Sequence, residues 1–316
     1  MTVEELPVRL GRVGVWTMAF DGQPAARVRE AAAEVEDLGY GALWFGEGFG
    51  RDTVSQAWLL LSATRRITVA AGIANIAHRN PIAMAAATRA LGEAHPGRYL
   101  LGLGGHRVDD QPFEFDGVRI PTVGRAVPTM GAYLDAMDGA PAHSLAPEPA
   151  VPRLLAALGP KMLALAARRT AGAHPYFVPV EHTRRAREIM GPDAFLAVEQ
   201  AVVLDTDVRR GRQVATAHVG MYTSVAPHQI ANVRRLGFGD EDLPAGPGDA
   251  PSRRLVDAMV AYGDVDVLRD RVRQHLDAGA DHVCIQALTA DPAELPTSTW
   301  HELAPALLDR PVAVAR

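Results

Sequence analysis

The sequence predicts a single α/β domain over residues 1–316 that folds as a (β/α)8 barrel, or TIM barrel. Two observations carry this prediction. Short β-branched runs alternate with longer segments of helical period, and eight such units follow one another without a linker. Because strand–helix alternation requires a parallel sheet, eight units in 316 residues favour a closed barrel over an open sheet.

The individual elements are predicted from apolar runs and from start and stop residues. Pro24 lies in the first turn of the first helix and Gly39 follows its end, while Asn80 and Pro81 predict an N-cap and a first helical residue. The predicted strands are 12–16, 41–45, 67–73, 99–103, 153–158, 174–178, 194–204 and 282–287. The predicted helices are 24–38, 53–64, 80–94, 124–137, 160–170, 181–190, 208–221, 254–262, 267–278 and 292–308.

Two segments interrupt the alternation. Residues 106–151 and 222–252 are rich in Pro, Gly and Asp, and we interpret them as insertions after strand 4 and between strands 7 and 8. Long insertions of this kind at a barrel mouth are typical of substrate lids.

Composition excludes several classes of protein. The formal net charge of −5 argues against nucleic acid or an anionic membrane as the partner, since both favour clustered positive charge. The single cysteine, Cys284, is predicted to be an inert core thiol. The N-terminus does not resemble a signal peptide and no apolar run reaches the length of a membrane span, so we expect a cytoplasmic protein. The histidines lack metal-ligand spacing, and no hydrolase or nucleotide-binding motif is present.

A barrel of this type places its site at the carboxyl ends of the strands. Trp16 ends strand 1, where it would either wall a planar ligand or belong to the core. Glu47 follows strand 2 and is a candidate acid or base. Gly72 interrupts the apolar strand 3, which predicts a bulge or the close approach of a ligand. His78 and Asn75, in the loop after strand 3, are positioned to reach a substrate.

Strand 4 ends in a run of glycines. Gly104 and Gly105 leave backbone amides exposed to a ligand, and His106 and Arg107 follow as candidate contacts for an anion or a cofactor. The run lacks the glycine spacing of a dinucleotide-binding motif.

Strand 5 leads directly into a helix that begins at Gly159 and Pro160. Free N–H groups at such a start predict a phosphate site, while a plain helix start is the simpler alternative. The only lysine, Lys161, comes next and is expected to point outward. Glu199 and Gln200, within the apolar strand 7, are interpreted as interior hydrogen-bonding residues rather than catalysts.

Taken together, five segments resemble the luciferase-like monooxygenase superfamily, and within it the coenzyme F420-dependent oxidoreductases of unassigned substrate. They are VGVW at 13–16, ALWFGE at 42–47, ITVAAGI at 67–73, GRYLLGLG at 97–104 and GPKMLALA at 159–166. No single segment is decisive; their order and spacing carry the resemblance, which extends over residues 10–288.

The resemblance implies an enzyme that transfers a hydride between F420 and a small organic substrate. An FMN-dependent monooxygenase, or a barrel that binds a flavin-type ligand without turnover, is the alternative. It implies a cis peptide at Gly72–Ile73 behind the cofactor ring and a cofactor phosphate at Leu158, Gly159 and Pro160. By the same resemblance, the loop from Gly104 through Gly105 to Arg107 lies along the ring and tail. Relatives are commonly homodimers.

One departure from the family pattern concerns the chemistry. Many F420-dependent relatives carry an Asp–His pair after strand 2, whereas this chain has Glu47–Gly48. Hydride transfer requires geometry, but protonation requires an acid. The candidates for that role are Glu47, His78 and His106.

Overall fold

The computed structural model describes residues 6–105, 113–115, 118–120, 125–246 and 248–308, and only the backbone of the two short central segments. Eleven strands lie within these residues. They are β1 (Val13–Thr17), β2 (Ala42–Phe45), β3 (Thr68–Asn75), β4 (Tyr99–Gly104), β5 (Phe113–Phe115), β6 (Val118–Ile120), β7 (Arg153–Leu155), β8 (Gly172–Ala173), β9 (Phe195–Leu204), β10 (Ala261–Gly263) and β11 (His282–Ala287).

The same residues form eleven α-helices. They are α1 (Ala25–Asp37), α2 (Thr53–Ala63), α3 (Pro81–Ala94), α4 (Ala126–Asp138), α5 (Pro160–Arg169), α6 (Val180–Met190), α7 (Val208–Val225), α8 (Pro227–Arg235), α9 (Arg253–Met259), α10 (Val265–Asp277) and α11 (Thr297–Leu307). None of these helices combines the length and the apolar character needed to cross a membrane.

Eight parallel strands close the predicted barrel. They pair in the order β1, β2, β3, β4, β7, β8, β9 and β11, and β11 returns to pair with β1 through Val13 and Val283. The (β/α)8 fold class is therefore confirmed. Asp52, Asn80 and Asp207 accept backbone N–H bonds at the starts of α2, α3 and α7, so these helices begin where capping residues predict.

The barrel interior and the layer between barrel and helices form separate apolar clusters. Trp16, Trp44, Leu100, Leu154 and Phe195 fill the interior, where each is at most 3% exposed. The alternate strand positions face the helices and form the largest cluster. A third cluster lies behind the far end of β9, against α7, α8 and α9. The part of the barrel mouth next to β9 is therefore supported by this third, smaller apolar cluster.

The position predicted for the sixth barrel strand, which is β8 in the structure, is wrong. We predicted 174–178, but β8 is Gly172–Ala173. A Cβ on Gly172 would lie 1.8 Å from the Phe195 carbonyl oxygen, so the strands meet where only glycine fits. After Pro175 the chain turns away at Phe177, whose φ of 58° ends the pairing. The apolar residues that suggested a strand therefore belong to a loop at the mouth.

The predicted insertions also contain regular structure. Residues 222–252 include α8, and the predicted helix 254–262 is instead α9 followed by β10, which pairs with the end of β9. In the insertion after β4, β5 and β6 form an antiparallel hairpin. The last helix begins at Thr297 rather than at 292, and β7 ends at Leu155 rather than at 158.

Candidate functional site

The carboxyl end of β3 carries the predicted bulge. Its register with β4 shifts between Ala71 and Ala74, and the Gly72–Ile73 peptide bond is cis, as the family resemblance implied. The indole N–H of Trp16 donates a hydrogen bond of 2.9 Å to the Gly72 carbonyl oxygen. A Cβ on Gly72 would lie 2.9 Å from the Trp16 indole nitrogen. The bulge is thus seated directly against the Trp16 ring, and glycine is required there.

Two buried histidines complete the floor beneath the bulge. Trp44 stacks on His174, with ring centroids 4.6 Å apart, and its indole N–H donates a 3.0 Å bond to Nε2 of His282. Since that nitrogen accepts, His282 donates from Nδ1 to the Gly11 carbonyl. Burial lowers the pKa of each histidine to about 4. The floor is therefore uncharged and rigid at neutral pH.

Both oxygens of the Glu47 carboxylate accept hydrogen bonds from backbone N–H groups. Oε1 accepts the Thr53 backbone N–H at 3.0 Å and Oε2 accepts the Asn75 N–H at 2.7 Å. Its side chain is 4% exposed. The Glu47 backbone N–H also donates to the Ile73 carbonyl. Glu47 therefore ties the loop after β2 to the start of α2 and to the bulged strand.

His78 lies near this anchor. Its Nδ1 is 3.9 Å from Oε2 of Glu47, and its Nε2 is 3.3 Å from the Asn75 amide nitrogen. The His78 side chain is 31% exposed. The structure thus brings Glu47, Asn75 and His78 together beside the bulge. A catalytic role for Glu47 or His78 stays a prediction.

The glycines after β4 pack against the bulge from the other side. A Cβ on Gly104 would lie 2.5 Å from Cδ1 of Ile73, so only glycine permits this approach. Gly105 is exposed at the mouth. The predicted ligand contacts His106 and Arg107 lie outside the described residues.

The predicted phosphate site at the start of α5 has an arginine beside it. Gly159 is the N-cap residue and Pro160 is the first helical residue. The Arg235 guanidinium reaches Gly159 from α8, 3.8 Å from the position that a Cβ would occupy. Burial lowers the Arg235 pKa, and its backbone carbonyl accepts a bond from Arg185. Lys161 is exposed, as expected.

Two buried polar atoms beside this helix start lack hydrogen-bond partners within the described residues. Nδ2 of Asn232 has none, although its Oδ1 accepts a 3.2 Å bond from Arg235. His182 donates from Nε2 to the Leu158 carbonyl at 3.0 Å, and its Nδ1 is unpartnered. The Asn232 amide is a donor, and a buried N–H without an acceptor costs about 1–3 kcal/mol, which an anionic ligand would relieve. The neutral His182 ring carries a lone pair on Nδ1 and needs a donor instead.

A polar cluster on the opposite wall of the mouth was not predicted as a site. Glu199, on the inner face of β9, is 1% exposed; its Oε2 accepts the Phe177 N–H at 3.0 Å. Tyr222 donates to the Tyr176 hydroxyl at 2.8 Å, which in turn donates to Oε1 of Gln286 at 2.8 Å. The rings of Tyr176 and Trp16 are 4.9 Å apart. The cluster therefore lies one aromatic ring away from the bulge.

Sequence reasoning missed these residues for identifiable reasons. Tyr222, Asn232 and Arg235 lie in a segment taken as irregular, although 227–235 has an apolar face at helical spacing. Glu199 was recognised as buried, but the loop that brings Tyr176 over it was predicted to be a strand.

Comparison with known proteins agrees with this geometry. The family model described as luciferase-like monooxygenase matches residues 10–282. A Mycobacterium tuberculosis protein, assigned by name to the coenzyme F420-dependent oxidoreductases, is 24% identical, with 92% of this chain and 97% of that protein covered.

Two solved structures share the fold. The F420-dependent tetrahydromethanopterin reductase of Methanopyrus kandleri superposes with a TM-score of 0.71 at 15% identity, covering 95% of this chain and 98% of that one. The oxygenating constituent of 3,6-diketocamphane monooxygenase from Pseudomonas putida, in complex with FMN, gives 0.65 at 14% identity, covering 93% and 96%. The barrel, the bulge at Gly72 and the match over residues 10–282 together identify this chain as a member of the luciferase-like monooxygenase family.

Proposed function

We propose that this protein is an oxidoreductase that uses coenzyme F420 to transfer a hydride to or from a small organic substrate at the mouth of the barrel. The observation that carries the proposal is the anion pocket at the start of α5. There the helix N–H groups, the Arg235 guanidinium and the unpartnered Nδ2 of Asn232 converge beside Gly159.

The residues present fit a flat ring with a phosphorylated tail. The glycine-lined recess formed by Gly72 and Gly104 leaves no room for a side chain, so a planar ring would lie against backbone and the Ile73 side chain. The pocket beside Gly159 supplies donors for a phosphate. When bound, F420 would supply the hydride-carrying carbon of its deazaflavin ring.

The chain's own residues have three tasks in this reaction. Trp16 fixes the bulge through the Gly72 carbonyl, and Glu47 fixes the loop behind it, so the ring would meet a preorganised surface. Arg235 and Asn232 would hold the phosphate. The neutral His174 beneath the bulge keeps charge away from the recess.

FMN is the alternative cofactor, because it also carries a phosphate and because a structural neighbour was solved with FMN. Titration of the purified protein with F420 and separately with FMN, followed by Trp fluorescence, distinguishes the two. Tight binding of F420 and weak binding of FMN is expected. The reverse order would assign the flavin, and binding of neither would refute an enzyme of this type.

The variant Arg235→Ala tests the anion pocket. Loss of a charged hydrogen-bond donor costs about 1.5–3 kcal/mol, so F420 affinity should fall by roughly 10- to 100-fold. Lys161→Ala is the matched control, because it removes a positive charge from the same helix start at an exposed position. Equal losses in both variants would indicate general charge attraction, and no loss in Arg235→Ala would place the phosphate elsewhere.

The predicted homodimer remains a proposal. Trp58 on α2 and Ile82 on α3 are 37% and 51% exposed, which supports an apolar contact between two copies on this side. Sedimentation equilibrium tests it: a monomer at all concentrations would refute it.

A further inference from the structure

We propose that the Tyr176 hydroxyl binds and protonates the oxygen of a neutral carbonyl substrate, and that Glu199 beneath it is a positioning residue whose uncharged carboxyl holds the loop that carries this hydroxyl. The inference rests on the proposed function, because a hydride donor is needed. The inference identifies an acid in a chain that lacks the histidine found after strand 2 in many relatives. It also defines the chemical class of the substrate.

The loop after β8 is shaped to cover Glu199. Phe177 is the only non-glycine residue with a positive φ among the described residues, and this conformation costs about 1–3 kcal/mol. It directs the Phe177 N–H onto Oε2 of Glu199 and places Tyr176 over the mouth. Phe177 also stacks on Tyr222, with centroids 4.7 Å apart. A strained loop held in this way indicates a functional arrangement rather than simple packing.

Oε1 of Glu199 has no hydrogen-bond partner among the described residues, although it is buried. An ionised carboxylate in that position would be very unfavourable. Burial raises the Glu199 pKa to about 8, against the lowering effect of the Phe177 N–H, so the group keeps its proton at pH 7. An uncharged Glu199 therefore accepts the Phe177 N–H without placing a negative charge near the Tyr176 and Tyr222 hydroxyls.

The other titratable groups that face Glu199 do not change charge near pH 8. Burial raises the pKa of Tyr176 and of Cys284 well above their ordinary values, and that of Tyr222 to about 12. His218, whose ring packs against Tyr222, has its pKa lowered to about 4 by burial. Glu199 is therefore the group of this cluster that ionises in the neutral-to-alkaline range.

The proton balance of the step is simple. In the reductive direction the carbonyl carbon of the substrate gains a hydride from reduced F420, and the electron pair of the C=O π bond moves to oxygen. That oxygen would replace Oε1 of Gln286 as the acceptor of the Tyr176 O–H and take its proton. Tyr176 would regain a proton from the Tyr222 O–H that already bonds to it, and Tyr222 would take one from water, so that each turnover consumes one hydride and one proton. The uncharged Glu199 carboxyl adds no negative charge beside the transient tyrosinate.

The same residues define the substrate class. Tyr176, Tyr222 and Gln286 present hydroxyl and amide groups, and none of them, nor Glu199 or His218, carries a positive charge at pH 7. Among these described residues, a carboxylate or phosphate on the substrate would find no cationic partner. The cluster therefore suits an uncharged aldehyde or ketone, or the corresponding alcohol in the reverse direction.

The first test does not depend on turnover. Infrared difference spectra of the protein between pH 6 and pH 9 should show the C=O stretch of a buried protonated carboxyl that disappears near pH 8. The band should be absent from Glu199→Gln. Absence of the band from the wild-type protein would overturn the inference, whatever cofactor the protein binds.

The second test uses reduced F420 with matched substrate pairs, methyl pyruvate against pyruvate and benzaldehyde against 4-carboxybenzaldehyde. Turnover of the neutral member of each pair is expected. Preference for the carboxylated member, or turnover of neither, would overturn the assigned substrate class.

Single substitutions test the roles of Tyr176 and Glu199 separately. Tyr176→Phe should lower kcat by about 100-fold or more, as for loss of a general acid, while F420 affinity stays at the wild-type value. Glu199→Gln cannot ionise and should lose the fall in kcat above pH 8. Tyr262→Phe is the control, because that hydroxyl bonds Asp257 and Arg212 away from the cluster. A fall in kcat above pH 8 that persists in Glu199→Gln would contradict the role of Glu199.

Failure of F420 to bind the wild-type protein would refute the proposed function and the substrate class with it. The infrared band would still decide whether Glu199 is protonated.

Discussion

Acidification should unfold this protein in a pH range set by its buried histidines. Burial lowers the pKa of five of them: His174, His182, His218 and His282 to about 4, and His275 to about 3. An unfolded histidine titrates near 6.5, so each group binds a proton in the unfolded state before it does so in the fold. Stability is therefore full above pH 6.5 and is lost as the pH falls towards 4.

The magnitude follows from the size of the shifts. A shift of one pKa unit corresponds to 1.36 kcal/mol, so a pKa near 4 contributes about 3 kcal/mol per histidine over this range. Five such groups together exceed the stability of a typical domain, roughly 5–15 kcal/mol. At pH 5 the loss is about 2 kcal/mol per histidine and about 10 kcal/mol for the five, so we expect unfolding without denaturant between about pH 4 and pH 5. Glu199 contributes the opposite slope, of one proton, between about pH 4 and pH 8.

Urea unfolding followed by circular dichroism from pH 8 to pH 5 measures this dependence. The slope of the unfolding free energy against pH gives the number of protons taken up. His218→Leu should reduce that number by about one, since Nε2 of His218 has no partner within the described residues to leave unsatisfied. His143→Gln, at an exposed position, is the control. A flat profile, or a slope that His218→Leu leaves unchanged, would refute the reasoning.

Two further substitutions test the mouth of the barrel. Gly72→Ala would place a methyl group 2.9 Å from the Trp16 indole nitrogen; we expect a loss of about 1–3 kcal/mol and a lower F420 affinity, whereas Gly131→Ala, with open space around it, should be neutral or stabilising in thermal melts. Glu47→Gln removes one of two acceptor oxygens from the Thr53 and Asn75 N–H groups, so we expect a lower Tm and an unchanged pH profile of kcat. A changed pH profile with an unchanged Tm would instead identify Glu47 as the acid.

The fold was predictable because each barrel unit carries its own local pattern. Glycine within an apolar strand indicated the bulge at Gly72, and the Gly159–Pro160 pair indicated the start of α5, since both depend on neighbouring residues in the chain. Two contacts were not predictable: the approach of the Arg235 guanidinium to Gly159, and the position of Tyr176 over Glu199. These contacts join residues far apart in sequence, and one of them depends on the left-handed conformation of Phe177.

Helices α7 and α8 are joined by a single residue, Ala226, and contact one another. Helix α7 carries Tyr222, which bonds Tyr176, and α8 carries Arg235, which lies beside Gly159. Two directly connected helices therefore supply one residue to each of the two ends of the mouth. We expect a ligand that draws Arg235 towards the start of α5 to shift the Tyr222 hydroxyl as well, so that binding of the phosphate would adjust the residue that donates to Tyr176.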